Sequence, residues 1–267
     1  MRITLTLSFL TYSSWSDLKS REVSNTVWKI FAPLAFVATS TQFLLYPPFS
    51  RFLLLSNLDN VTNGFINYGI SFALTSIFSV ALFYVGAFGG ADAKALMCIA
   101  LALPVPPDLY SPLSGFVSFV FPITIFSNGV IVAALSLFYA FFRNLIWKLK
   151  THQGLFEGYE SEGFWRKVLA LLCGYKIPVE DLEKSFSYPL EDLSTVEGST
   201  VKRLLLFPKD ENREQMVEEI VRASREGRIS NMVWATPGLP MLIFITLGLV
   251  IALTIGDIVW IVIGQVF

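Results

Sequence analysis

Two aspartates stand in stretches of the chain that are otherwise built for lipid, and their chemistry sets the first expectation. Asp17 closes an apolar stretch in Ser14-Trp15-Ser16-Asp17-Leu18-Lys19-Ser20-Arg21-Glu22-Val23-Ser24-Asn25. Asp92 lies between two further apolar stretches, in Gly89-Gly90-Ala91-Asp92-Ala93-Lys94. A carboxylate at membrane depth costs several kcal/mol, so an acid kept there marks a functional site. Two of them on different segments, one set among small residues, are expected to pair. Such a pair can hydrolyse an amide. One ionised carboxylate takes a proton from water while the other, protonated, polarises the scissile carbonyl. Close carboxylates in a poorly hydrated site do not both ionise, so they share one proton over a range of pH, and either aspartate can hold it.

The composition says what must position these groups. Of 267 residues, 54% are hydrophobic and 15% charged, against about 25% charged in a soluble domain. The chain therefore reads as an integral membrane protein with a modest water-exposed part. That part is the stretch from His152 to Trp234, which holds 15 of the 21 acids and 11 of the 20 Lys and Arg residues. The net charge of −1 gives no ground for a nucleic-acid partner. Two cysteines, Cys98 and Cys173, exclude a disulfide framework and a four-cysteine zinc site. Cys98 reads as packing and His152 as solvated. The first apolar run is broken by Thr and Ser and lacks a small-x-small cleavage site, so it does not read as a cleaved signal peptide.

Runs near 20 apolar residues predict six spans: Ile3 to Ser16, Val27 to Leu45, Ile66 to Phe88, Ala91 to Leu103, Phe116 to Phe142 with Pro122 as a kink, and Leu239 to Val262. The expected fold is an all-α polytopic membrane protein with a small cytoplasmic α+β domain between the fifth and sixth helices. Its domains would be residues 1–149 in the membrane with both aspartates, 150–235 in the cytoplasm, and 236–267 as the last span. With the N-terminus outside, only Arg2 and Arg51 of the 20 basic residues fall on the outer side, as the positive-inside rule favours. Both termini are then outside, and Asp17 and Asp92 both approach the inner face. Within the polar segment, Phe164 to Leu172 has the spacing of an amphipathic helix lying on core or membrane. Val201 to Phe207 reads as a strand ended by Pro208. Asp210 to Glu226 reads as a helix capped by Asp210 and stopped by Gly227.

Singly, Asp17 also reads as an interfacial helix end and Asp92 as an N-cap paired with Lys94; together they weigh towards a site. Lys19, Arg21 and Lys94 read as topological anchors, with Arg21 also suited to orient substrate or an acidic neighbour. Gly86, Gly89, Gly90 and Ala91 are expected to let backbones approach closely. Asp257, about 25 Å of helix beyond Pro240, reads as an interfacial residue on the opposite side.

The two motifs together resemble those of the archaeal preflagellin and prepilin peptidases, which belong with the type IV prepilin peptidases to the GxGD class of membrane aspartyl proteases. The pattern D-x-x-x-R-x-[I/V]-[P/S]-N stands here as Asp17 to Asn25, with Arg21, Val23, Ser24 and Asn25 in place. The pattern G-x-G-D-x-K stands as Gly89 to Lys94, with Ala91 at the second glycine. Thr236-Pro237-Gly238-Leu239-Pro240 before the last run extends the likeness. The resemblance implies Asp17 and Asp92 as the catalytic residues, Gly89, Gly90, Ala91, Lys94 and Arg21 as supporting ones, and neither cofactor nor metal. It implies archaellin or pilin precursors with short basic leaders as substrates, cut at the inner membrane face beside the lipid bilayer. The four-cysteine zinc module of bacterial relatives is absent, and nothing in the sequence points to methyl transfer. A presenilin or signal-peptide-peptidase type of protease shares G-x-G-D, but its first aspartate sits in a Tyr-Asp pair within a span, unlike Trp15-Ser16-Asp17. A proton-coupled transporter would be expected to carry broken helices in pairs or an inverted repeat, and the sequence offers neither.

Overall fold

Helix stops placed between apolar runs divide the chain into ten helices and five short strands among the residues described. A computed structural model describes residues 1–46, 59–107, 118, 120–159, 161–196, 199–205 and 213–266. Helix α1 (Arg2–Ser20) ends where Arg21 turns left-handed (φ 57°) and donates its N–H to the Asp17 carbonyl at 2.9 Å. Ser24 caps α2 (Asn25–Leu45), its Oγ accepting the Thr26 N–H at 3.3 Å. Asp59 does the same for α3 (Asn60–Tyr84) through Thr62. Gly86, at φ 78°, turns the chain out of α3 and into α4 (Gly90–Ala102). Helix α5 (Phe121–Thr151) starts one residue before Pro122. A proline in the first turn loses no helical hydrogen bond, so Pro122 opens the helix instead of kinking it. The start of the expected fifth span lies outside the described residues.

The chain folds as two compact units, Met1–Ala133 with Pro240–Phe267, and Ala134–Leu239. The second unit holds α6 (Phe164–Cys173), β1 (Tyr175–Pro178), α7 (Val179–Lys184), β2 (Ser187–Pro189), β3 (Glu191–Val196), β4 (Ser199–Leu204), α8 (Arg213–Arg225) and β5 (Met232–Pro237). Strand β5 is the centre of an antiparallel sheet in the order β1-β5-β2, and β3 pairs with β4. Leu182, Val217, Ile220, Val233 and Ala235 form its main core. A small α/β domain is thus present. The helix α8 ends at Gly227 (φ 69°), as its sequence suggests, whereas the expected cap Asp210 and stop Pro208 lie outside the described residues.

The first unit closes with α9 (Met241–Thr254) and α10 (Ile258–Val266). The single last span expected there is instead a pair bent by 57°. Asp257 sits in the bend and is only 5% exposed. It accepts the Thr124 hydroxyl at 2.7 Å and the Val259 N–H at 3.1 Å, while Asn128 donates to the Gly256 carbonyl and accepts from the Ile258 N–H. The residue read as interfacial is therefore a buried cap that supports a broken helix, and close backbone approach accompanies it. A Cβ on Gly129 would stand 2.8 Å from the Phe244 carbonyl oxygen, and one on Gly248 would overlap the Ile125 carbonyl oxygen.

Among the described residues, α2, α3 and α5 are long and apolar enough to cross a membrane, and the bent pair makes a fourth span if counted as one. Helices α1 and α4 do not qualify. The first is diluted by Ser and Thr, and the second has 13 residues, about 20 Å against about 30 Å of hydrocarbon. Those two carry Asp17 and Asp92. From Ala95 onwards α4 is largely buried, among Leu10, Trp28, Phe31, Leu242 and Ile245. Its last carbonyls find donors in protein, as any helix end away from water requires. The Ala102 carbonyl accepts from Arg2 (3.2 Å) and Thr39 (3.0 Å), the Leu101 carbonyl from Thr39 (2.8 Å) and Tyr68 (3.0 Å), and the Pro104 carbonyl from Ser71 (2.6 Å).

Candidate active site

Asp17 stands one turn from the end of α1 and Asp92 in the first turn of α4. Each is half-buried. Helices α1 and α4 pack on one another, and Asp92 lies within electrostatic reach of Asp17. The two aspartates are thus carried on helices that touch.

Each aspartate has a fixed local setting. The Asp92 Oδ2 accepts the Gly89 N–H at 3.1 Å, which folds the carboxylate back over the start of its own helix. This is half of a capping box: the acid at the third helical position reaches the N-cap amide. A Cβ at position 89 would come within 3.2 Å of that same oxygen, so the glycine leaves the carboxylate its place. Gly90 differs, since a Cβ there would make an ordinary 3.8 Å contact with Phe83. Close helix approach, expected at these glycines, is met at Gly129 and Gly248. The run Gly86 to Ala91 serves the turn and the carboxylate.

Asp17 lies in the field of Arg21. The turn between α1 and α2 is laced by hydroxyls: Ser16 and Ser20 donate to the Glu22 carbonyl at 2.8 and 3.1 Å, and Ser20 also bonds the Ser16 carbonyl. Lys19 packs over the Trp15 ring at 5.2 Å. A further contact joins the two motifs. Lys94 Nζ donates to Asn25 Oδ1 at 2.7 Å, tying the start of α2, eight residues beyond Asp17, to the helix that carries Asp92. The sequence placed both residues in motifs but gave no sign that they touch. An exposed groove lined by Thr4, Leu7, Ser8, Thr11, Tyr12 and Trp15 runs along α1 to within two residues of Asp17.

The second unit offers other buried polar groups with structural partners. Glu191 accepts the Trp234 N–H at 2.6 Å and faces Lys202 at 3.4 Å. Glu162 holds the Leu204 N–H and Arg166, both at 3.1 Å. Burial, with the Glu191 charge behind it, pushes the Tyr159 phenol above its usual range, so it stays neutral. Among the described residues no group of three or more His, Cys, Asp or Glu could hold a metal ion.

These features can be set beside known proteins. A preflagellin peptidase from Methanococcus voltae is 27% identical over 257 residues, which cover 93% of this chain and 92% of that protein. A family model described as the archaeal peptidase A24 C-terminus, type II, matches residues 166–258. The model of the type IV leader peptidase family matches residues 4–147. That last match takes in more than half of the chain, including both aspartates, and the chain belongs to the type IV leader peptidase family.

Proposed function

We propose that this chain is a membrane aspartic endopeptidase that removes short basic leader peptides from archaellin or type IV pilin-like precursors at the cytoplasmic membrane face. Asp17 and Asp92 are its catalytic residues. One, ionised, takes a proton from water while the other, protonated, donates to the scissile carbonyl; the roles follow whichever group holds the shared proton. The observation that carries the reading is that α1, with Asp17 near its end, packs on α4, with Asp92 in its first turn, in a chain of this family. Arg21 and Lys94 position the two helix ends. The groove along α1 suits the precursor's hydrophobic helix, with its scissile bond at the level of Asp17. The reaction uses no cofactor and no metal.

In the same reading α1 and α4 are the first and fourth of six membrane helices, both termini are outside, and residues 150–235 are cytoplasmic. Enclosure of α4 by protein supports counting it, because a short helix with satisfied ends needs no lipid match. A cysteine introduced near Gly154 is then shielded from an impermeant thiol reagent in intact cells, and one near Asn60 reacts. The function itself is tested by reconstituting the chain in vesicles with a leader-bearing precursor and weighing the products. A single cut between the basic leader and the hydrophobic helix supports it. Cuts within the hydrophobic helix, or none, refute it.

A further inference from the structure

An amphipathic surface in the second unit has no part in the chemistry above. Helix α6 turns Phe164 and Trp165 outward, 71% and 75% exposed, with their rings 5.6 Å apart. Leu169 follows one turn later and is also exposed, while Ala170 on the opposite face is buried. The end of α6 is fixed to the second-unit part of α5. Asn144, fully buried, donates to the carbonyls of Leu171 at 3.1 Å and Gly174 at 2.7 Å. Around that anchor α5 exposes Phe138, Phe142, Leu145 and Leu149, on a helix long and apolar enough to cross a membrane.

The same level carries a belt of amphipathic and basic side chains. The Arg143 guanidinium lies 3.7 Å over the Tyr175 ring, and Lys176 Nζ lies 4.8 Å over Trp147. Lys148 and Lys150 end α5, and Arg166 and Lys167 follow the aromatic pair on α6. No acid occurs between Ala134 and Phe156 or between Gly163 and Cys173. Aromatic rings that keep a polar edge in water, beside long basic side chains, are the composition of a membrane boundary. Apolar anchors on one face of a helix with cations at its flank are the composition of a helix lying in it.

We infer that α6 lies in the headgroup layer of an anionic lipid surface, with Phe164, Trp165 and Leu169 inserted and Arg143, Lys148, Lys150 and Lys167 facing the lipid phosphates. The inference is independent of the catalytic reading. The bonds of Asn144 set the depth of the helix by holding its last turn to α5 where apolar exposure gives way to lysines. The charge of the belt selects acidic headgroups.

The test uses the full chain with Cys98 and Cys173 replaced by alanine and an environment-sensitive fluorophore on Trp165→Cys. A second protein carries the label on Glu180→Cys, an exposed position of α7. In vesicles of phosphatidylcholine and phosphatidylglycerol, the label at 165 should emit to the blue of the label at 180. Lipids brominated near the headgroup should quench it severalfold more strongly. Equal emission and quenching at the two positions overturns the inference. A blue shift at 165 that grows with protein density and resists brominated lipid assigns the face to a second copy, and also overturns it. Equal quenching in pure phosphatidylcholine removes the acidic headgroup from the account, and a marked loss there supports it.

Discussion

Alanine at position 89 should disable the site without harming the fold. Gly89 has φ −70° and ψ 158°, values open to any residue, so the backbone has nothing to lose. The new Cβ would stand 3.2 Å from Asp92 Oδ2, and the carboxylate must give by a few tenths of an ångström. That movement loads the 3.1 Å bond from the Gly89 N–H. A hydrogen bond to a charged group contributes about 1.5–3 kcal/mol, and an acid displaced from its reacting geometry loses rate steeply. Loss of about half to all of that bond corresponds to a fall of about 4- to 160-fold in kcat. Gly90→Ala is the matched control. Its Cβ makes an ordinary 3.8 Å contact with Phe83, and losing a glycine at a compatible site stabilises by about 0.4–1 kcal/mol. Cleavage kinetics in proteoliposomes and thermal unfolding, measured together, separate the two. Full activity of Gly89→Ala at unchanged stability would refute the reasoning. So would an equal loss in Gly90→Ala, because the whole turn and not the 3.2 Å contact would then be at fault.

The other predictions concern the supports of the site. Lys94→Met and Asn25→Ala should each lower kcat by about 2- to 10-fold, the worth of one hydrogen bond, and the double variant should be no worse than the weaker single; additive losses would mean that the 2.7 Å contact is not what matters. Asn128→Ala leaves the Gly256 carbonyl and the Ile258 N–H without their partner, at about 1–3 kcal/mol for each buried group, to be read as lower thermal stability; an unchanged melting temperature would contradict the supporting role given to Asn128. Gly129→Ala should destabilise by about 1–3 kcal/mol through overpacking on the Phe244 backbone. Gly69→Ala, in α3 with nothing within 4 Å of its Cβ, should instead stabilise by about 0.5–1 kcal/mol; the same sign in both variants would show that the close approach at Gly129 is not decisive.

What the sequence conveyed about this fold follows from which forces act locally. Runs of apolar residues and their stops located the helices α2 and α3 and the amphipathic α6, because periodicity and capping are local. That Asp17 stands near the end of one helix and Asp92 in the first turn of another was also legible, since each borders an apolar run. The burial of Asp257 was not, because a carboxylate in an apolar run looks the same whether it meets water or the Thr124 hydroxyl. The bend between α9 and α10 hides for the same reason: its open backbone groups are satisfied by Asn128, about 130 residues away in the chain. The clamp of Arg2, Thr39, Tyr68 and Ser71 on the end of α4 escaped notice because each of these side chains is unremarkable in its own segment. Small residues around Asp92 suggested close helix approach, but a glycine required by φ, as at Gly86, and one required by space, as at Gly248, are the same letter.

The central claim is that Asp17 and Asp92 act as one unit. It is tested most directly by the kcat/KM of Asp17→Asn, Asp92→Asn and the double variant, measured on one precursor in one vesicle preparation. Asparagine keeps the shape and removes the charge and the titrating proton, so folding losses are small and can be monitored by unfolding. If the two carboxylates share one proton and one reaction, each single variant abolishes cleavage and the double variant is no worse than either. Substantial cleavage by either inserted, folded single variant would contradict the account.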